Sequence, residues 1–394
     1  MPQHPPVLAV RLAIIASLGF GAPTFAQGSS GNTRDLYPTA YVGTLVLPEP
    51  LVRGSDWPGD EISGIALRLD KDDPNRMHQL LLVPDDRSKE APARIARVLY
   101  RTWVPGYHFE GLEWITLLDE DGKPFARNTV DPESVRAPAD SDVFYWASEG
   151  YAKDGIQPAL YESRFDGGPS VKFSLPDAYL HDTADEPTRG IRQNEGFESL
   201  ALDYFDPRSP SLVTCPERPL IQDRGSGVCR ILHLNPESGE SKQFGYPLGP
   251  APAGTDPETL AVAELLSIQI PDGYLVLENA EREDGITVAS LWLIRIGEAE
   301  DLSNAASLRD RRMRRFVEKK LVLDFSTIPN GAGIGNLEGM ELIDDVLYLV
   351  EDNEVDTTTA TRLVMVRIAE NVLDGRIWED AGSDTVEDNG NEAD

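Results

Sequence analysis

One pattern recurs five times along this chain, and it constrains the fold more than any other feature. Each copy opens with a short strand that carries an acid or Ser followed by a small residue. A second strand then ends in an acid, and a third is of the Leu-Tyr-Arg type. The first copy runs through Ile62–Ala66, Leu81–Arg87, Val98–Arg101 and Trp114–Leu118. Later copies open at Pro132–Val135, Phe197–Leu200, Ala263–Leu266 and Leu337–Met340. Short runs rich in Val, Ile, Leu, Tyr and Trp lie between Gly, Pro, Asp and Asn clusters, and helical periodicity is almost absent, so the class is all-β.

Aligned on positions 63, 133, 198, 264 and 338, the copies are spaced by 70, 65, 66 and 74 residues. Repeats of this kind predict a β-propeller of four-stranded blades, with loops taking up the excess over the usual ~40–50 residues. The count is five blades, or six if a long loop hides another. A two-sheet sandwich is the alternative, although a sandwich does not demand equal repeats. The third copy has only a weak fourth strand near Phe244, and the fifth lacks its fourth. The isolated run Tyr41–Leu47 can supply it, closing the ring within one blade and removing an exposed sheet edge.

The alignment generates two columns of carboxylates. Ser63, Glu133, Glu198, Glu264 and Glu338 fall on the strand expected to line the central channel. Asp86, Glu149, Glu217, Glu278 and Asp352 end the second strands. Carboxylates converging from several blades repel one another, and a hard cation relieves the repulsion. Ca2+ suits the set, since it accepts six to eight oxygens in loose geometry. The alternative is that these acids cap loops or pair with neighbouring bases, as Asp86 with Arg87, Glu217 with Arg218 or Glu278 with Arg282.

The charge of −31 excludes nucleic acid and anionic membranes as natural partners, because both need clustered Lys and Arg. Residues 1–26 read as a secretory signal, with Arg11 ahead of an apolar run from Leu12 to Ala22 that is too short to span a bilayer. The protein is therefore expected to be periplasmic or secreted, with a propeller over 27–378 and a disordered acidic tail over 379–394. In such a compartment Cys215 and Cys229 are expected to form a disulfide across a hairpin, contributing ~3 kcal/mol. Few His remain, and the absence of a Gly-x-Ser-x-Gly elbow argues against a serine esterase. The Arg- and Lys-rich stretch from Leu308 to Leu321 is expected to be a helix, either a solvated face or a basic lid over an anionic substrate.

These pieces resemble the phytase-like esterase family of secreted bacterial proteins. The resemblance rests on Ile62–Ala66 with Asp85–Ser88, Asp131–Val135 with Trp146–Gly150, Asn194–Leu200 with Glu217–Pro219, Leu275–Glu278, and Asn336–Met340 with Val350–Asn353. It implies a propeller hydrolase of phosphate or related esters, similar to calcium-dependent propeller phytases. Two departures stand out: Ser199 where Gly is expected, and Asn279 where Arg is expected. On this reading Glu133, Glu198, Glu264 and Glu338 hold Ca2+, with Glu133, Glu198 and Glu338 catalytic. Arg87, Arg218 and Arg192 meet a small anionic or ester substrate as forked donors. A gluconolactonase-like lactonase and a non-enzymatic binding or scaffold propeller with structural calcium are the alternatives.

Overall fold

The computed structural model describes residues 38–378 except 47–61, 70–76, 90, 104–105, 139–140, 183–185, 204–209, 311–313, 329–333 and 353–361. The expected signal segment and acidic tail lie outside the described residues. The strands form five four-stranded antiparallel sheets arranged as a β-propeller. Blade one is β2 (Ile62–Leu69), β3 (Met77–Pro84), β4 (Arg94–Trp103) and β5 (Gly106–Thr116). Blade two is β6 (Pro132–Arg136), β7 (Val143–Ser148), β8 (Ala159–Arg164) and β9 (Val171–Lys172). Blade three is β10 (Ala201–Asp203), β11 (Ser211–Thr214), β12 (Val228–Leu234) and β13 (Ser241–Pro247). Blade four is β14 (Ala261–Ser267), β15 (Gly273–Glu281), β16 (Thr287–Arg295) and β17 (Glu318–Asp324).

Blade five joins the two ends of the chain. Its strands β18 (Asn336–Ile343), β19 (Val346–Asp352) and β20 (Arg362–Arg367) are completed by β1 (Ala40–Val46), which pairs antiparallel with β20. The isolated N-terminal run thus supplies the missing strand. One α-helical turn among the described residues, α1 (Glu370–Leu373), follows. No helix of the described residues is long and apolar enough to cross a membrane.

The apolar runs make sense once each blade is seen to be covered on both faces. Side chains alternate along a strand, so an interior blade must be apolar at odd and even positions alike. In blade four Leu275, Leu277, Leu291 and Leu293 pack with Leu347, Leu349, Val364 and Val366 of blade five. Tyr274, Val276, Trp292 and Ile294 pack the other way, against Val213, Cys215, Cys229 and Ile231 of blade three. Similar clusters join blades one and two, two and three, and five and one, so five apolar interfaces close the circle.

Three expectations are corrected. Cys215 and Cys229 are free, buried thiols in one apolar cluster. The β11–β12 register, with Thr214 opposite Leu232, makes Cys215 and Cys229 diagonal neighbours on one face and not a directly opposed pair, and their thiols meet without being bonded. The described part of 308–321 contains no helix: Lys319, Lys320 and Leu321 belong to β17, while Leu308 is buried beside Val228 and Leu302. Its bases answer nearby acids, Arg315 with Glu298 at 3.0 Å and Arg314 with Glu300 at 3.5 Å. In blade three the inner strand begins only at Ala201, because Phe197 makes a single bridge to Pro216 and the chain bulges between them.

Candidate functional site

The same bulge occurs in every blade. Ile62 pairs with Pro84, Pro132 with Ser148, Phe197 with Pro216, Val262 with Glu278 and Leu337 with Glu351. Immediately afterwards the register slips, leaving one extra residue on the inner strand. A bulge re-aims the side chain it carries, and here it turns residues 63, 133, 198, 263 and 338 into the mouth of the channel. The residue after each paired partner joins them, giving Asp85, Glu149, Glu217, Asn279 and Asp352. All ten line one cavity of about 490 Å³.

This register corrects three sequence assignments by one position each. Asp85 lines the mouth, whereas Asp86 is buried and caps its own turn, accepting from Lys89 N at 2.7 Å and Ala91 N at 3.1 Å. Ala263 and Asn279 line it in blade four in place of Glu264 and Glu278. The Glu278 carboxylate is buried behind the wall, on Lys319 Nζ at 2.9 Å, Tyr246 OH at 2.6 Å and Gly249 N at 3.2 Å. Glu264 belongs to the floor. Its Oε2 meets Arg136 at 2.9 Å and Ser134 Oγ at 2.9 Å, and its Oε1 accepts from Leu200 N and Leu265 N.

Sequence reasoning missed Asp131, which lies two residues before Glu133 in a quoted motif and whose Oδ1 is buried without a hydrogen bond. Six carboxylates gather in two groups, Asp85 with Asp131 and Glu133, and Glu149 with Glu198 and Glu217. Within each group one oxygen per residue lies within 4.8 Å of the others. Backbone ties hold the groups in place. Glu149 Oε1 accepts from Gly196 N at 3.1 Å, and Val262 N donates to Glu217 O at 2.9 Å. Gly196 must be glycine, since a Cβ there would sit 2.0 Å from the carbonyl oxygen of Glu149. Glu338 and Asp352 complete the mouth from blade five.

Electrostatics here is dominated by burial without enough counter-charge. Desolvation, followed by the charge of Glu198, drives the Glu133 carboxyl far above the ordinary glutamate range. Glu198 is driven up in the same way by burial and by Glu149 and Glu217. Burial pushes Glu149 up to about 9, against the pull of the Gly196 N–H, and pushes Asp131 and Glu217 up to about 7. Arg87 and Arg218 also line the mouth. Arg87 stacks on the Tyr151 ring at 3.9 Å with Nε 3.8 Å from Asp131 Oδ1. Arg218 lies 3.7 Å from Glu217 and donates to the carbonyl oxygens of Glu258 and Thr259. Arg192 does not line the cavity and is paired with Glu195.

The donor set fits a hard cation. It offers carboxylate oxygens without nitrogen or sulfur, includes a buried oxygen lacking any hydrogen bond, and holds acids that resist ionisation for want of positive charge. The described part of the basic stretch lies away from this mouth. The mouth collects the starts of the first and third strands of each blade, whereas the β16–β17 connection leaves from the opposite face.

A family model described as esterase-like activity of phytase matches residues 60–355. No curated protein matches the sequence. Among solved structures, the catalytic domain of a Coprinopsis cinerea GH62 alpha-L-arabinofuranosidase is similar at 12% identity and a TM-score of 0.47, over 85% of this chain and 98% of the other. A thermostable family-43 glycoside hydrolase is similar at 12% identity and a TM-score of 0.41, over 78% and 88%.

Proposed function

This chain belongs to the phytase-like family, and from that membership we propose that it is an exported, Ca2+-dependent hydrolase of phosphate or carboxylic esters. The observation that carries the reading is the convergence of six carboxylates from blades one to three on one cavity, with two arginines at its rim. Asp85, Asp131 and Glu133 would hold one cation, and Glu149, Glu198 and Glu217 another. Bound there, Ca2+ would polarise the ester and make water a better nucleophile.

The protein groups have separate tasks. Arg87 and Arg218 hold an anionic oxygen of the substrate, each already braced by a ring or by carbonyls so that little freedom is lost on binding. Glu338 and Asp352 close the far side of the mouth and orient the attacking water. Glu133 and Glu198 sit where the two groups meet, since Glu133 feels the charge of Glu198 and Glu198 that of Asp131. Of the assigned ligands, Asp86, Glu264 and Glu278 have no part in this account, because none of them lines the mouth: Asp86 caps its own turn, Glu264 is tied into the floor, and Glu278 is held behind the wall by Lys319 and Tyr246 through Oε1.

Assaying Ca2+-loaded protein against phosphomonoesters, carboxylic esters and lactones, with release followed by pH-stat, tests the proposal. Turnover of either ester class that chelator abolishes supports it. Turnover of lactones alone makes the protein a lactonase, and no turnover with any class leaves a cation-binding scaffold.

A further inference from the structure

We infer that Tyr151 is a positioning residue that holds the Arg87 guanidinium off the Asp131 carboxylate, so that the acid is left to a cation and the arginine to an anion. The inference rests on the cation site of the reading above and adds the part that keeps it open. Arg87 Nε stands 3.8 Å from Asp131 Oδ1, too far for a hydrogen bond. Asp131 Oδ1 and Arg87 Nη1 are both buried, and neither has a hydrogen-bond partner among the described residues. Closing the gap would satisfy opposite charges at once, so something must hold the guanidinium back.

The backbone does not keep the two apart. Asn128 N, shortly before Asp131, donates to Arg87 O at 2.8 Å and draws the segments together. What engages the guanidinium is Tyr151, whose ring centroid lies 3.9 Å from Arg87 Cζ and whose hydroxyl also meets it. An aromatic face attracts a guanidinium without consuming its N–H groups, so the stack competes with the carboxylate and leaves the donors unspent.

Tyr151 can do this because its own place is rigid. It opens the turn between β7 and β8, where Tyr151 and Ile156 exchange backbone bonds of 2.9 and 3.0 Å. Gly150 before it has a φ of +86°, and a Cβ there would sit 2.5 Å from Pro158 N. Lys153 N in the same turn donates to Gln193 Oε1 at 2.6 Å, which pins the turn to the segment leading into blade three. The other rim arginine keeps the same spacing by another route. Arg218 Nε stands 3.7 Å from Glu217 Oε1, and the carbonyl oxygens of Glu258 and Thr259 hold it there. No carbonyl takes that part for Arg87 among the described residues, so the ring is its tether.

Calcium titration calorimetry of chelator-treated protein tests this, together with a crystal structure of Tyr151→Ala grown in chelator. Tyr151→Ala should bind Ca2+ about 10-fold more weakly at one of the two acidic groups, because the freed guanidinium occupies Asp131. Tyr151→Phe, which keeps the ring, should stay within about threefold of the parent. Arg87→Ala should bind Ca2+ at least as tightly as the parent, and Tyr151→Ala combined with Arg87→Ala should match it, since the ring then has nothing to hold. In the crystal, Arg87 should close on Asp131 to hydrogen-bond distance. Tyr151→Leu replaces Tyr151→Ala throughout if the latter does not fold. A double variant as weak as Tyr151→Ala, the result of a merely structural role in the turn, overturns the inference, and so does a gap that keeps its parental width. Closure of the gap in a protein whose parent binds no Ca2+ would count against the cation reading alone. Parental Ca2+ binding with the gap unmoved would count against the role of Tyr151 alone.

Discussion

Arg136 and Glu264 meet at 2.9 Å in the middle of the ring, both almost completely buried, and between them they tie four blades together. Arg136 donates to the carbonyl oxygens of Ile65, Val135 and Leu265, while Glu264 accepts from Ser134, Leu200 and Leu265. The fifth blade joins through Glu341, which accepts from Leu67 N at 3.3 Å. The floor they make separates the acidic mouth from a second cavity, of about 570 Å³, on the opposite face.

Because both carboxylate oxygens of Glu264 and both terminal nitrogens of Arg136 are used, removing one partner strands the other in a dry interior. Glu264→Ala is expected to lower unfolding free energy by about 3–5 kcal/mol. The double variant Arg136→Met with Glu264→Leu, which buries no charge, should recover much of the loss. Urea denaturation of the two proteins checks this, and a cost under about 1 kcal/mol for Glu264→Ala would remove the pair from its central role.

The acidic mouth should make the metal-free protein less stable as pH rises. Asp131 and Glu217 keep their protons to about 7 in the folded chain, and Glu149 to about 9. The unfolded chain releases them near 4. Between those limits the folded state binds more protons, so stability falls with rising pH, mainly from about 4 to 7 and further toward 9. In chelator the melting temperature should therefore be higher at pH 5 than at pH 8. Saturating Ca2+ should shrink the difference, because cation binding strengthens as the acids ionise. A melting temperature that climbs with pH in chelator would be inconsistent with this electrostatics.

Replacing one carboxylate should separate repulsion from ligation. Glu198→Gln removes a carboxyl that burial, with Glu149, Glu217 and Glu338 beside it, forces to take up a proton on folding. Without Ca2+ the variant should melt higher than the parent. With Ca2+ it should gain less, its affinity down at least 10-fold. Differential scanning calorimetry at several Ca2+ concentrations reads both effects, and a variant that melts lower under every condition would point to a purely structural role.

The two thiols should be intact in the folded protein. Buried Cys215 and Cys229 are expected to resist a thiol reagent in the native state and to give two equivalents per chain in guanidinium without reductant. Zero equivalents would restore the disulfide, and partial reaction in the native state would contradict their burial.

The repeat made the propeller legible, since five similar copies leave few folds, and the lone run at Tyr41 disclosed the closure. Fine register was not legible. Glu264 looked equivalent to Glu133 because each is the acid near the start of its copy's first strand, yet the bulge falls at Ala263, and one residue turns a side chain from the mouth to the floor. Asp86 and Glu278 were misplaced by the same single step. Pairing across strands decides the position of a bulge, and the inner strand's own sequence does not record it. The stretch at Leu308 failed for another reason. Arginine favours helices, but buried Leu308 and the ion pairs to Glu298 and Glu300 hold the loop in an irregular path.

The convergence of six carboxylates is the centre of the account, and a calcium titration of chelator-treated protein tests it most directly. Isothermal calorimetry should show saturable binding that releases protons at pH 7. Binding should be lost when Glu133→Gln and Glu198→Gln are combined, and retained in Asp86→Asn and Glu278→Gln, whose carboxylates lie outside the mouth. Absence of binding, or binding unchanged by the double substitution, would contradict the account.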